Sequence, residues 1–138
     1  MKRLSDKFYS RLFFLGALWN FTFSLAGLVL PAFSMRLTFG PDMDQNLVLG
    51  NYYSRSMYLF WWASVLLFGI GYYIVSRDIN KNRGIVWMAV IGKLAFFFFF
   101  TYSFFTDRST LLSFLGGSGD FGFTILFLIF LLQTRKEA

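Results

Sequence analysis

The chain has 138 residues, 57% of them hydrophobic and 23% aromatic, with 21 Phe, 14% charged residues and a formal net charge of +6. A soluble domain carries about 25% charged residues and, at this size, buries only about two thirds of its surface, so water is a poor solvent for this many rings. The absence of Cys and His excludes thiol catalysis, disulfides, iron–sulfur ligation, histidine–metal sites and histidine-ligated haem.

Crossing the ~30 Å hydrocarbon core of a bilayer takes about 20 mostly apolar residues. Four segments qualify, over about 12–35, 57–75, 84–105 and 111–132. They predict one all-α domain over residues 1–138: an integral membrane four-helix transmembrane bundle with antiparallel neighbours.

The first segment follows a basic start. Ser24-Leu25-Ala26 would serve as a signal-peptide cleavage site, but the apolar run continues well past it, which predicts an uncleaved first helix. Within it Gly16, Asn20, Ser24, Gly27 and Pro31 recur in steps of three or four and share one face. The connection that follows carries Gly40-Pro41, a turn signal. Its Asp42, Asp44 and Asn46 have the spacing of the start of a calcium loop, yet the glycine at the sixth position and the glutamate at the twelfth are lacking, so a turn is expected.

Tyr52, Tyr53 and Tyr58 lie near the outer end of the second segment, and Tyr72 and Tyr73 near its inner end. With Trp87 at the start of the third, these read as interfacial aromatic anchors. Trp61 and Trp62 lie deeper and take the same reading. Ser64 and Gly71 of the second segment and Gly92 of the third are expected to pack helices closely, as are Gly117 and Thr124 of the fourth. "TDRST" is short enough to make segments three and four a hairpin. The fourth begins either near Leu111 or after the interruption "GGSG" at Gly116–Gly119.

Lys2, Arg3, Lys7, Arg11, Arg77, Lys81, Arg83, Arg135 and Lys136 fall on one side of the expected spans, against Arg36, Arg55 and Arg108 on the other. The positive-inside rule then puts both termini in the cytoplasm. Basic residues that flank apolar segments in this way form no nucleic-acid patch.

Lys93 stands beside five consecutive phenylalanines in "GKLAFFFFFT". At 1.5 Å per residue it lies roughly 13 Å along the third helix, Asp120 roughly 13 Å along the fourth and Asn20 roughly 12 Å along the first. All three depths approach the midplane of the core. An isolated charge there costs about 2.5–3.5 kcal/mol on insertion scales, so such residues face the interior and pair. A Lys93–Asp120 ion pair with Asn20 as hydrogen-bond partner is expected, either as structural glue or as the lining of a ligand or ion site. Four helices are too few for a retinal-type lysine. No P-loop, GxSxG or HExxH is present.

The stretches "FGIGYYIVSRDINKNRGIVWMAVIGKLAFF" and "GDFGFTILFLIFL" resemble small bacterial membrane proteins similar to the DoxX-like group. Trp19-Asn20 in helix one, Gly92-Lys93 in helix three and Gly119-Asp120 in helix four carry that resemblance. It implies a bacterial inner membrane and an accessory role beside quinone-linked or thiol-redox systems, though a chain without cysteine has no direct thiol role.

Taken together, the sequence points first to a non-catalytic accessory or scaffold subunit in the lipid bilayer, alongside a larger membrane-protein partner or as a homo-oligomer. No cofactor or metal is expected. The alternative is a small transporter or binder of a lipophilic or anionic ligand, quinone-like headgroups included, built on Lys93, Asp120 and Asn20. A membrane enzyme comes third.

Overall fold

The computed structural model describes residues 4–134; Lys2, Arg3, Arg135 and Lys136, which enter the charge count, lie outside the described residues. The elements are α1 (Asp6–Val29), α2 (Pro31–Phe39), α3 (Asn46–Leu49), α4 (Tyr52–Arg77), α5 (Arg83–Phe105) and α6 (Leu111–Gln133). Four of them, α1, α4, α5 and α6, are long and apolar enough to cross a membrane, and no strand occurs among the described residues.

Local chemistry sets the boundaries. The Ser5 hydroxyl accepts the Phe8 N–H at 3.2 Å, and Asp6 places a carboxylate at the positive end of α1. The helix therefore starts six residues before the expected position 12. It stops at Val29 because Pro31 has no N–H to donate and pushes Leu30 out of helical geometry, to φ −124° and ψ 57°. The single helix expected over 12–35 is thus two, with Pro31 opening α2.

Asn51 Oδ1 accepts the Ser54 N–H at 3.1 Å and begins α4 five residues early. Between α5 and α6 the chain reverses tightly. Asp107 takes a left-handed φ of 56°, its N–H bonds Phe104 O at 3.1 Å, and the Arg108 N–H bonds Ser103 O at 2.8 Å, a Schellman closure. Thr110 then caps α6 by accepting the Ser113 N–H at 3.3 Å. The helix runs unbroken through Gly116–Gly119, so the start near Leu111 is the observed one.

Hydrogen bonds gather the helix ends at two poles. At the terminal pole the Leu4 N–H and the Tyr9 hydroxyl both donate to Gln133 Oε1, at 2.8 and 2.7 Å, and the Ser10 hydroxyl donates to Ser76 O at 2.7 Å. Arg83 donates to Leu131 O and Thr134 O, each at 2.8 Å, closing the carbonyl end of α6. At the loop pole the Thr110 N–H and the Ser113 hydroxyl donate to Thr38 O at 2.9 and 2.8 Å.

The closest partners are α1 with α4 and α5 with α6. The two pairs join through rings near the terminal pole, where Phe13 meets Phe127 at 4.7 Å and Phe130 at 5.0 Å, and Tyr9 meets Phe130 at 4.9 Å. Offset and edge-on rings at such spacing add about 0.5–1.5 kcal/mol per pair beyond area burial. Outside, Leu15, Val29, Leu67, Ile91, Phe98 and Leu132 are more than half exposed. A continuous apolar surface of that kind suits acyl chains rather than water.

Candidate functional site

One polar cluster lies inside the molecule, and every long helix contributes to it. Lys93 of α5 is 4% exposed, and its ammonium pairs directly with the Asp120 carboxylate of α6. It also donates to Asn20 Oδ1 of α1 at 3.3 Å. The same ammonium lies 5.4 Å from the ring of Tyr72 on α4 and 5.1 Å from that of Phe123. A lysine has three donors and no acceptor, so two oxygens and two ring faces satisfy it, the latter worth about 0.5–2 kcal/mol where water is excluded.

Asn20 is held in turn. Its Nδ2 donates to Val65 O of α4 at 3.2 Å, a carbonyl it reaches because α1 and α4 approach at Gly69. A Cβ on Gly69 would stand 2.7 Å from the Phe21 ring and 3.2 Å from Asn20 Cβ. The Trp19 ring lies over Gly119, the residue before Asp120. Asp120 accepts and Lys93 donates, so the pair carries no net charge.

A cavity of about 260 Å³ ends on this cluster. Asn20 and Asp120 form part of its wall with Trp19, Trp62, Phe96 and Phe100, while α2 contributes Phe33, Ser34, Leu37 and Thr38. Lys93 does not reach it; it lines a separate void of about 30 Å³ beside Tyr72 and Gly92, room for about two waters. A third space of about 320 Å³ shares Trp62 and Phe100 with the first and is lined also by Met35, Met57, Trp61 and Phe99.

Other expected packing residues divide. Gly16, Ser24, Gly27, Gly117 and Thr124 are buried, and Gly71 and Gly92 are half-buried against Ile85 and Phe68. Ser64 is exposed and spends its hydroxyl on Phe60 O at 2.8 Å, so it does not pack a helix face. Among the expected anchors, Tyr52, Tyr53, Tyr73 and Trp87 are exposed, and half-buried Tyr58 donates to Pro31 O at 3.4 Å.

Tyr72 and Trp62 are corrections. Tyr72 is 1% exposed and packs on Phe127 at 5.4 Å, inside the fold rather than at an interface, because it stands a hundred degrees round the helix from exposed Tyr73. Trp62 is 8% exposed, and its ring covers Gly27 so closely that a Cβ there would overlap it. Sequence reasoning missed its part in the cavity; the only signal was Gly27 on the polar face of α1.

Asp42, Asp44 and Asn46 form a turn in which the Asn46 N–H donates to Asp44 Oδ1 at 3.0 Å. Among the described residues no three His, Cys, Asp or Glu side chains gather as a metal site would require. No family model, curated protein or solved structure matches the chain. What the molecule offers chemically is therefore read from its own geometry: a charge-neutral polar cluster, two of whose members form part of the wall of a mainly apolar cavity. Concave, mainly apolar spaces with a few convergent polar groups are where proteins hold small molecules.

Proposed function

We propose that this is a small, non-catalytic, multi-pass membrane protein that binds a lipophilic small molecule in the cavity closed by Asn20 and Asp120. The observation that carries the reading is that cavity, about 260 Å³ with aromatic walls and a buried polar end. The accessory or scaffold role expected first rests on composition; the ligand-binding alternative has geometry behind it. An anionic ligand is disfavoured, since Asp120 of the pair lines the cavity and Lys93 does not.

The proposal includes an antiparallel four-helix bundle in a bacterial inner membrane with both termini cytoplasmic. The gathering of helix ends at two poles and the nine-to-three distribution of Lys and Arg support it. A DoxX-like relationship belongs to the same proposal. Its three dipeptides meet at one place: Lys93 holds Asn20 and Asp120, and Trp19 covers Gly119.

Native mass spectrometry of the chain released from its own membrane tests the reading. One small, neutral adduct per chain is expected, lost when Gly116→Phe fills the cavity from a site where an added Cβ meets nothing within 4 Å. A chain that carries no adduct but holds a larger polypeptide would return the accessory role to first place. Because the chain has no cysteine, single cysteines at Gln45 and Asn80 test the orientation: only the first should be labelled from outside.

A further inference from the structure

We infer that the cavity holds one acyl chain of a phospholipid from the leaflet on the loop-pole side, taken in sideways between α1, α2 and α6. The inference rests on the ligand-binding reading above and names the occupant's class and its route.

The wall residues place the opening. Phe23 of α1, Phe33 and Leu37 of α2 and Leu112 of α6 all line the cavity, yet they are 39%, 54%, 41% and 51% exposed. These side chains belong to the apolar outer surface, so the mouth meets hydrocarbon chains rather than water. Depth agrees. On α6 the lining runs from Leu112 near the loop pole to Asp120 in the polar cluster, roughly 12 Å of helix. That is close to the depth of one leaflet's chains, half of a ~30 Å core.

The lining suits a chain better than a polar ligand. Asn20 donates to Val65 O at 3.2 Å and accepts from Lys93 at 3.3 Å, while Asp120 pairs with Lys93. The Thr22 hydroxyl donates to Leu18 O at 2.9 Å and that of Ser113 to Thr38 O at 2.8 Å. None of these bonds needs completing by an occupant. The rest of the wall is mostly Trp, Phe, Leu, Val and Ala, against which burial of apolar surface is the available gain. An engineered cavity of about 150 Å³ in another protein holds benzene, so about 260 Å³ takes roughly ten heavy atoms of a chain on the same scale. Lipid is also the most concentrated species at such a mouth, and occupancy follows concentration.

Charge at the loop pole matches the other end of the lipid. The Thr110 N–H donates to Thr38 O at 2.9 Å, which brings the turn between α5 and α6 against the end of α2. Arg36 stands next to Leu37 of the mouth, and Arg108 lies in that turn. Both are exposed, and neither side chain has an ion pair or hydrogen bond among the described residues. Guanidinium groups in that corner suit a phosphate, held at the rim and away from the Asp120 carboxylate.

Brominated lipids, which quench tryptophan on close approach, test this on the full chain in nanodiscs. Two variants keep one indole each: Trp62, 8% exposed and part of the cavity wall, or Trp87, 52% exposed and outside it. In chain-brominated phosphatidylcholine, Trp62 should be quenched at least as strongly as Trp87 despite its burial. Gly116→Phe, which fills the cavity from a site where an added Cβ meets nothing within 4 Å, should relieve Trp62 and leave Trp87 unchanged. Should the single-indole chains fail to fold, the same comparison is made with all four indoles, and Gly116→Phe should be quenched less than the parent. At one low fraction in unbrominated lipid, brominated phosphatidylcholine should act on Trp62 about threefold more effectively than brominated diacylglycerol, the scale of one exposed ion pair. Arg36→Gln with Arg108→Gln should erase that difference. Quenching that is indifferent to Gly116→Phe overturns the lipid chain, and equal action of the two lipids on the parent overturns the phospholipid class. A saturable shift of the Trp62 indole proton with naphthalene would then keep the ligand reading beneath it. Absence of that shift as well overturns both.

Discussion

Removing one member of the Lys93–Asp120 pair should cost far more than removing both. Lys93→Met leaves the Asp120 carboxylate without its ammonium partner. Asp120→Leu leaves the ammonium with Asn20 Oδ1 at 3.3 Å and the rings of Tyr72 and Phe123 at 5.4 and 5.1 Å. Breaking a buried pair costs about 3–5 kcal/mol, whereas an apolar replacement of both partners is often neutral. With Lys93 only 4% exposed, Lys93→Met belongs near the upper end, about 4 kcal/mol. Asp120→Leu should cost less, about 3 kcal/mol, because the rings still attract the cation. The double variant should fall within about 1–2 kcal/mol of the parent, the residue being the Asn20 oxygen left without its donor. The coupling energy is then at least about 5 kcal/mol. Reversible unfolding in mixed micelles, followed by tryptophan fluorescence, measures all four corners of the cycle. Additive losses, with the double variant as unstable as the two singles summed, would refute the reasoning.

Three further outcomes follow from the packing and the caps. Gly27→Val drives a branched side chain into the Trp62 ring and should destabilise by about 1–3 kcal/mol as overpacking does, whereas Gly122→Ala meets nothing within 4 Å and should be neutral or gain up to about 1 kcal/mol from helix propensity; thermal melts of the pair separate the two. Arg83→Met removes the donors on Leu131 O and Thr134 O, so amide exchange in the last turn of α6 should speed up about tenfold while the centre of α1 is unaffected. Outside the spans, the hydrogen bond and ion pair from Lys81, 3.1 Å away, hold Asp78 below the ordinary carboxylate range. A depressed folded value means that its small contribution is present above the ordinary range and is lost as pH falls through the lowered one. Lys81→Met should move the titration of the Asp78 side-chain carboxyl, followed by its carbon NMR shift, upward.

The long helices were legible because hydropathy over twenty residues needs no knowledge of neighbours. Lys93, Asp120 and Asn20 could be placed at one depth because helical rise is fixed and charges inside apolar runs seek partners. The break before Pro31 was also written in the chain, but the apolar run hid it, continuing through α2 after the helix had ended. Tyr72 and Tyr73 differ only in direction, and which of two adjacent aromatics faces inward depends on how α4 rolls against α1. That roll is set by Gly69 beneath Phe21 and Gly27 beneath Trp62, contacts between residues more than thirty positions apart. The cavity was least legible of all. It exists because α1 and α6 meet through rings near the terminal pole and leave space towards the loop pole, and α2, unforeseen as a separate helix, supplies part of its wall.

The most direct test of the cavity as a ligand site is the nitrogen–proton spectrum of the four indoles of the chain in nanodiscs, with Trp62 assigned by Trp62→Phe. On titration with naphthalene, the Trp62 indole proton should shift and saturate as a second ring enters the cavity that Trp62 lines. Trp87, 52% exposed and remote from the cavity wall, should stay where it is. A Trp62 resonance that does not move while Trp87 shifts without saturation would contradict the account, since the probe would then be dissolving in lipid rather than binding.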